Sequence, residues 1–254
     1  MMTTFKLVLE YDGTRYSGWQ RQLNASTVQA AVEAALAAIS QTRLSVVGAG
    51  RTDAGVHALG QVASFKTDRG LSPREWLRAL NAHLPSDISV LSVDAVPEHF
   101  HARYSATRKL YEYHILNRSE RAALLRERAW SVYQPLNVAA MADAAAVLLG
   151  SHDFSSFETA PTDNDNPHCR MQQSALRREG DLIVCSFYAD RFLKQMVRSL
   201  VGTLVDVGRG KRSASDMDTI LKARSRPAAG RTAPPHGLYL VRVDYDAASA
   251  PPVT

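Results

Sequence analysis

Between Phe5 and Val96 the chain changes its hydrophobic period from strand-like to helix-like and back, twice over, and few folds accommodate that order. Phe5, Leu7 and Leu9 alternate with Lys6, Val8 and Glu10, the pattern of a strand over residues 5–10. A helix is expected to open at Ser26, where Ser26 and Gln29 read as a capping box. Val28, Val32, Ala35, Leu36 and Ile39 recur behind it at helical spacing. Residues 44–47 and 61–65 read as strands. A second helix opens at Ser72, with Pro73 in its first position, Glu75 closing a capping box, and Trp76, Leu77 and Leu80 as its apolar face. Residues 88–96 complete the order strand–helix–strand–strand–helix–strand, the ferredoxin-like pattern.

The character changes around residues 101–107, and a domain boundary is placed there. Residues 109–117 read as a strand, with Tyr111, Tyr113 and Ile115 on one face and Leu110, Glu112 and His114 on the other. Asn137 is expected to cap a helix carrying Met141, Ala145 and Leu148. Two strands flank Glu179-Gly180-Asp181, a hairpin signal. A long helix is expected from about Arg191, a short one after Ser215, and a strand over residues 238–243. The expected class is α+β: two ferredoxin-like (RRM-like) halves whose mainly antiparallel sheets flank a basic cleft. The division is 1–104, 105–246 and a disordered tail, 247–254. Residues 155–167, rich in Thr, Asp, Asn and Pro, read as a mobile loop.

A chain of 254 residues, 45% hydrophobic and 22% charged, can bury a core without disulfides or metal. Its two cysteines, Cys169 and Cys185, form no C-x-x-C pair, which points to a reducing, cytoplasmic setting. Cys185, within LIVCSFYA, reads as a small buried thiol. His57, His114, His152 and His168 match no ligand spacing, so no metal is expected. No signal peptide or membrane-length apolar run is present, so no membrane partner is expected. The net charge of +5 suits a polyanion. Arg15, Arg21, Arg103, Arg108, Lys109, Arg170, Arg209, Lys211 and Arg212 are candidates from which a phosphate-binding groove could draw.

The most unusual stretch is GAGRTDAGVHALGQ, residues 48–61. Its glycines do not keep the G-x-G-x-x-G spacing, a strand follows rather than a helix, and no Gly-Lys-Ser/Thr occurs, so no nucleotide cofactor is expected. Two readings of Asp53 stand. It is either a turn residue making a local hydrogen bond, or a carboxylate that a rigid glycine-rich loop presents to a cleft.

GRTDAGVHALGQVASF resembles the active-site signature of the tRNA pseudouridine synthase A family. In the same order, YDGTRYSGWQRQ, FHARYSATRKLYEY, GSHDFSSF, FLKQMVRSLVGTL and APPHGLYL resemble five further stretches of that family, from Leu9 to Leu240. Asp190-Arg191 before Phe192, Pro235 in place of the usual alanine, and NPHCRM depart from its pattern.

The resemblance implies a cofactor-free isomerase acting on tRNA. It would convert uridine to pseudouridine at positions 38–40 of the anticodon stem–loop, working as a homodimer. It makes Asp53 the catalytic carboxylate, as nucleophile or as the base in a glycal route. Arg198 would pair with Asp53, and Tyr111 would stack on the target base with its hydroxyl near the reaction. Arg51, read from its place two residues before Asp53 rather than from the resemblance, would help hold open the gap left by the flipped uridine, or bind phosphate. Each has a plainer reading from its own pattern. Arg191, Lys194 and Arg198 could form a solvated helix face, Tyr111 a core aromatic, and Arg51 a surface ion pair. The competing function is a non-catalytic RNA-binding protein of RRM-like fold. Against it stands Asp53 itself, since a carboxylate repels phosphate.

Overall fold

The structure, a computed structural model, describes residues 2–160 and 166–246. The described residues fall into two compact units. One runs to Arg108 and resumes at Leu240; the other is Lys109–Tyr239. The fold is α+β, with five α-helices and mostly antiparallel strand pairing among the described residues. No described helix is long and apolar enough to cross a membrane.

The first unit contains β1 (Thr3–Tyr11), α1 (Val28–Ser40), β2 (Val47–Gly48), β3 (His57–Thr67), α2 (Pro73–His83) and β4 (Ile88–Val96). β1 is central, antiparallel to β3 (Leu7 opposite Ala63) and to β4 (Leu7 opposite Val93). Its alternation buries Phe5, Leu7 and Leu9. Phe5 stacks on Phe65 at 5.4 Å, and Trp76 of α2 meets Phe65 edge-on at 5.2 Å. Each such side chain contributes about 1.5–3 kcal/mol by leaving water. Ser72 and Glu75 form the expected capping box: the Ser72 N–H donates to Glu75 Oε2 (2.7 Å) and the Glu75 N–H to Ser72 Oγ (3.4 Å).

Two local expectations for this unit are corrected. Helix α1 is capped by Thr27, whose Oγ1 accepts from the Ala30 N–H, and not by Ser26. The Ser26 carbonyl accepts from Ser17, and the Gln29 carboxamide accepts from the Arg21 N–H while donating to Glu33 and the Val46 carbonyl. Gln29 is thus held by the loop folded over the helix start. The strand expected at 44–47 shrinks to Val47–Gly48, because both backbone groups of Val46 are held by the α1 side chains Gln29 and Glu33.

In the second unit β5 (Ala106–Leu116), whose first residues belong to the first unit, is followed by β6 (Trp130–Ser131), α3 (Val138–Ala146) and β7 (Gly150–Asp153). Then come β8 (His168–Glu179), β9 (Leu182–Ala189), α4 (Met196–Gly208) and α5 (Asp216–Ala223). The last strand, β10 (Leu238–Tyr245), returns to the first unit from Leu240 on and lies beside β3. β5 pairs antiparallel with β9, which forms the expected hairpin with β8 across Gly180 (φ +61°). As expected, Tyr111, Tyr113 and Ile115 share the buried face of β5, and Asn137 Oδ1 caps α3 at the Ala140 N–H (3.1 Å). Leu148 lies past the end of α3 but is buried.

The long helix expected from Arg191 begins only at Met196. Gln195 adopts φ +58°, which breaks helical geometry just before it. Arg191 and Lys194 therefore precede the helix, and the solvated face read from their spacing with Arg198 does not form. Of the segment expected to be a mobile loop, Ser155–Phe157 is a single 3-10 turn with Ser156 and Phe157 buried, while residues 161–165 lie outside the described residues. The tail expected at 247–254 lies outside them too.

Candidate active site

The loop joining β2 to β3 is built from contacts that only small residues permit. At Gly48 a Cβ would stand 2.4 Å from the Trp19 indole nitrogen, so glycine lets the ring pack against the backbone. Gly18 has φ +94°, and a Cβ there would meet the Thr52 carbonyl oxygen at 2.5 Å. Gly55 has φ +76° and is the third residue of a turn closed by the Val56 N–H donating to the Asp53 carbonyl (3.1 Å). A positive φ at that position is the type II requirement, which glycine meets without strain.

Hydrogen bonds then fix the loop from both sides. The Ala49 N–H donates to Val62 (2.7 Å), the Trp19 N–H to the Thr52 carbonyl (3.1 Å), and the Gly55 N–H to the Tyr16 carbonyl (3.2 Å). Thr52 Oγ1 lies 2.8 Å from the Tyr11 hydroxyl, and Gln61 Nε2 donates to the Gly50 carbonyl (3.0 Å). Asp53 is left half-buried and Arg51 exposed on one short segment. The arrangement presents one carboxylate from a backbone with little freedom to move.

His57, next along, is buried, and its Nδ1 accepts from the Gly13 N–H (3.0 Å). Asp12 Oδ1 also lies 3.2 Å from that nitrogen. The two form an ion pair only where the imidazole is protonated.

Tyr111 and Arg198 belong to the second unit. The Tyr111 ring is only 8% exposed and meets Phe192 edge-on at 4.9 Å (interplanar angle 76°). Arg198 is the third residue of α4. Its Nε donates to the Ala233 carbonyl (2.8 Å) and its own carbonyl accepts from the Ala233 N–H (3.0 Å). The side chain is thereby pinned at the guanidinium, and its direction is set by the 226–234 strap. That strap is itself held: Tyr113 donates to the Pro234 carbonyl (2.8 Å), and a Cβ at Gly202 would stand 1.7 Å from the Arg231 oxygen. Burial pushes the Tyr113 hydroxyl well above the usual phenol range, keeping it a neutral donor. Of the four residues singled out from sequence, Arg51 and Asp53 thus share one loop of the first unit, and Tyr111 and Arg198 lie in the second.

A family model described as tRNA pseudouridine synthase matches residues 7–105 and 144–246. The chain belongs to the tRNA pseudouridine synthase family. The match takes in Arg51, Asp53 and Arg198 but leaves out 106–143, and Tyr111 with it. Relatives named tRNA pseudouridine synthase A extend across that gap. The protein of Afipia carboxidovorans is 49% identical over 245 residues, covering 96% of this chain and 100% of that protein. That of Rhodopseudomonas palustris is 47% identical and that of Acetivibrio thermocellus 44%, with the same coverage.

Two departures from the family pattern have local explanations in this synthase. Asp190 ties β9 back to β8, its Oδ1 accepting from the Arg170 N–H (2.8 Å). Pro235 opens a 3-10 turn at Pro235–Gly237, where its fixed φ suits the first position. Arg15 and Arg21, both candidates for phosphate contact, also make ion pairs within the unit, to Asp87 (2.6 Å) and Glu33 (3.0 Å). Tyr11, Trp19 and Gln61, none of them a candidate from the sequence, also brace the loop. One signal was available: Gln61 is a polar residue inside the apolar run that becomes β3.

Proposed function

We propose that this enzyme isomerises uridine to pseudouridine at positions 38–40 of the tRNA anticodon stem–loop, with Asp53 as its catalytic carboxylate. The observation that carries the reading is the glycine-framed loop, whose backbone is fixed at Gly48, Ala49, Thr52 and Gly55 and which offers a single carboxylate. A protein that only binds RNA has no physical need for a rigidly held carboxylate facing phosphate.

The reaction breaks the N1–C1′ glycosidic bond, turns the base and forms C5–C1′. The C5 proton is released and N1 gains one, so no redox partner or group donor enters. Two schemes suit the carboxylate: attack as a nucleophile, or removal of a proton on the way to a glycal. Both start from ionised Asp53, and the role proposed for Arg198 is to stabilise that charge as its ion-pair partner. Tyr111 stacks on the target base and brings its hydroxyl near the reaction. Arg51 occupies the gap left by the flipped nucleotide, offsetting part of an unstacking cost of a few kcal/mol. The two halves, divided in role near residue 104, are proposed to be ferredoxin-like sheets flanking a basic cleft, in a cytoplasmic homodimer.

The decisive experiment compares wild type with Asp53→Asn for tritium release from tRNA labelled at uridine C5. Asparagine keeps the size of the side chain and satisfies a turn, but removes the charge and the nucleophilic oxygen. Release at background level, with unchanged circular dichroism and tRNA retention on filters, is the expected result. A folded Asp53→Asn protein that still releases tritium at near wild-type rate would sink the assignment.

A further inference from the structure

We propose that Tyr11 and Gln61 are positioning residues for Asp53, acting through Thr52 and Gly50. The inference rests on the reading of Asp53 as the catalytic group. Three polar side chains meet beneath the loop, almost wholly withdrawn from solvent: Gln61 is 0%, Tyr11 4% and Thr52 7% exposed. Burying polar atoms is costly unless they are bonded, and an apolar core would pack the same space without that cost. Here they bond to one another and to the residues that precede Asp53.

The bonds connect β3 and β1 to the loop. The Val62 N–H donates to Gln61 Oε1 (3.1 Å), which fixes the carboxamide so that Nε2 faces the loop. Nε2 donates to the Gly50 carbonyl (3.0 Å) and, over a longer 3.5 Å, to the Tyr11 oxygen. The Tyr11 oxygen lies 2.8 Å from Thr52 Oγ1, a hydrogen bond in which either hydroxyl can donate. Burial, opposed in part by the Thr52 and Gln61 bonds, pushes the Tyr11 hydroxyl up to about 12, so it stays a neutral hydroxyl near pH 7. The relay ends on the residue bonded to Asp53. Together with the Trp19 N–H on the Thr52 carbonyl, it holds both the backbone and the side chain of Thr52. What the network controls is where the carboxylate stands.

Four single variants test this: Tyr11→Phe, Gln61→Met, Thr52→Val and Thr52→Ser. Displacing a reacting group by about 1 Å can cost on the order of 100-fold in rate. Tyr11→Phe, Gln61→Met and Thr52→Val are therefore expected to lower kcat between about 10- and 100-fold, with KM and tRNA affinity near wild type. Thr52→Ser keeps the hydroxyl and is expected to stay near wild-type turnover. The double variant Tyr11→Phe/Thr52→Val should be no slower than the slower single variant, because both cut the same bond. Thermal unfolding of each variant shows whether the fold is intact at the assay temperature. Folded Tyr11→Phe and Gln61→Met proteins with wild-type kcat would overturn the proposal. So would losses that appear in KM alone, or a Thr52→Ser variant as slow as Thr52→Val. Failure of the underlying reading is separate: it shows as an active Asp53→Asn enzyme, whatever Tyr11→Phe does.

Discussion

Gly13 lies so close to Val56 that a Cβ on it would stand 1.9 Å from the Val56 carbonyl oxygen. Val56 closes the turn that carries Asp53, so the strip after β1 and the aspartate loop are in backbone contact. The Gly13 N–H on His57 ties the same two segments a second time. Neither the backbone carbonyl nor the buried imidazole can yield cheaply to a methyl group.

Gly13→Ala is therefore expected to destabilise the protein by about 1–3 kcal/mol, the usual cost of overpacking. The displaced turn should lower turnover in the folded fraction as well. Urea unfolding and tritium release measure the two effects. An alanine variant matching wild type in both would mean that the contact relaxes freely.

The legible part of this fold was the part written in local pattern. The capping box at Ser72, the Asn137 cap and the Gly180 hairpin each depend on a few neighbouring residues, and each forms as expected. The misread start of α1 depends on partners farther along the chain, and that of α4 on one backbone angle. Gln29 looked free to close a box on Ser26, but the loop at Arg21 and the Val46 carbonyl take its carboxamide. Helix α4 looked continuous from Arg191, yet Gln195 takes a left-handed φ that no propensity announces. At the site, Asp53 stood out because glycines and arginine surround it. Tyr11 and Gln61 did not, because their importance lies in bonds to residues about 41 and 11 positions away.

Arg198→Lys should fail despite keeping the charge. Arg198 spends its Nε on the Ala233 carbonyl (2.8 Å), a bond that fixes the plane of the guanidinium. Lysine offers one rotating ammonium and cannot hold that carbonyl and present a fixed fork at once. A fall of at least about 10-fold in kcat, with the fold retained, is expected, since removing one charge-assisted hydrogen bond costs roughly 1.5–3 kcal/mol. A lysine enzyme with wild-type turnover would show that charge alone suffices at this position.

Stability below neutral pH should depend on a pair on the other face of β5. Desolvation raises the Glu112 pKa, but the hydrogen bond and charge of Arg177 (2.8 Å) and the bond from Ser186 outweigh it and hold the carboxyl below its ordinary value. A depressed folded pKa contributes stability that is present above the unfolded value, about pH 4.3, and is lost as pH falls through the folded one. Arg177→Met should remove part of that acid sensitivity. Near pH 7 it should cost less than about 1 kcal/mol, because Arg177 is half exposed and solvent screens the pair. Urea midpoints from pH 7 down to pH 3 test this: the variant's curve should fall less steeply below about pH 4.3. Curves that stay parallel would mean the pair contributes nothing to folding.

Variants of Tyr111 separate the stacking proposed for its ring from the chemistry proposed for its hydroxyl. Its ring is held edge-on by Phe192 at 4.9 Å and sits opposite Phe187 on β9, so phenylalanine fits the same place with the same rotamer. Tyr111→Phe should keep the fold and tRNA affinity and lose turnover, because it removes only a hydroxyl. Tyr111→Ala removes the proposed stacking surface as well, worth roughly 1–3 kcal/mol per base, and should weaken binding by that amount in addition. Phe192→Ala frees the Tyr111 ring without touching its hydroxyl. It should give an intermediate result, with affinity near wild type and kcat reduced. The three are compared by filter retention of tRNA and by tritium release under single-turnover conditions, where product release does not mask the chemical step. Full turnover by Tyr111→Phe, with binding lost only in Tyr111→Ala, would confine Tyr111 to stacking. Full activity in Tyr111→Ala would return it to the core of the sheet, with no part in the site.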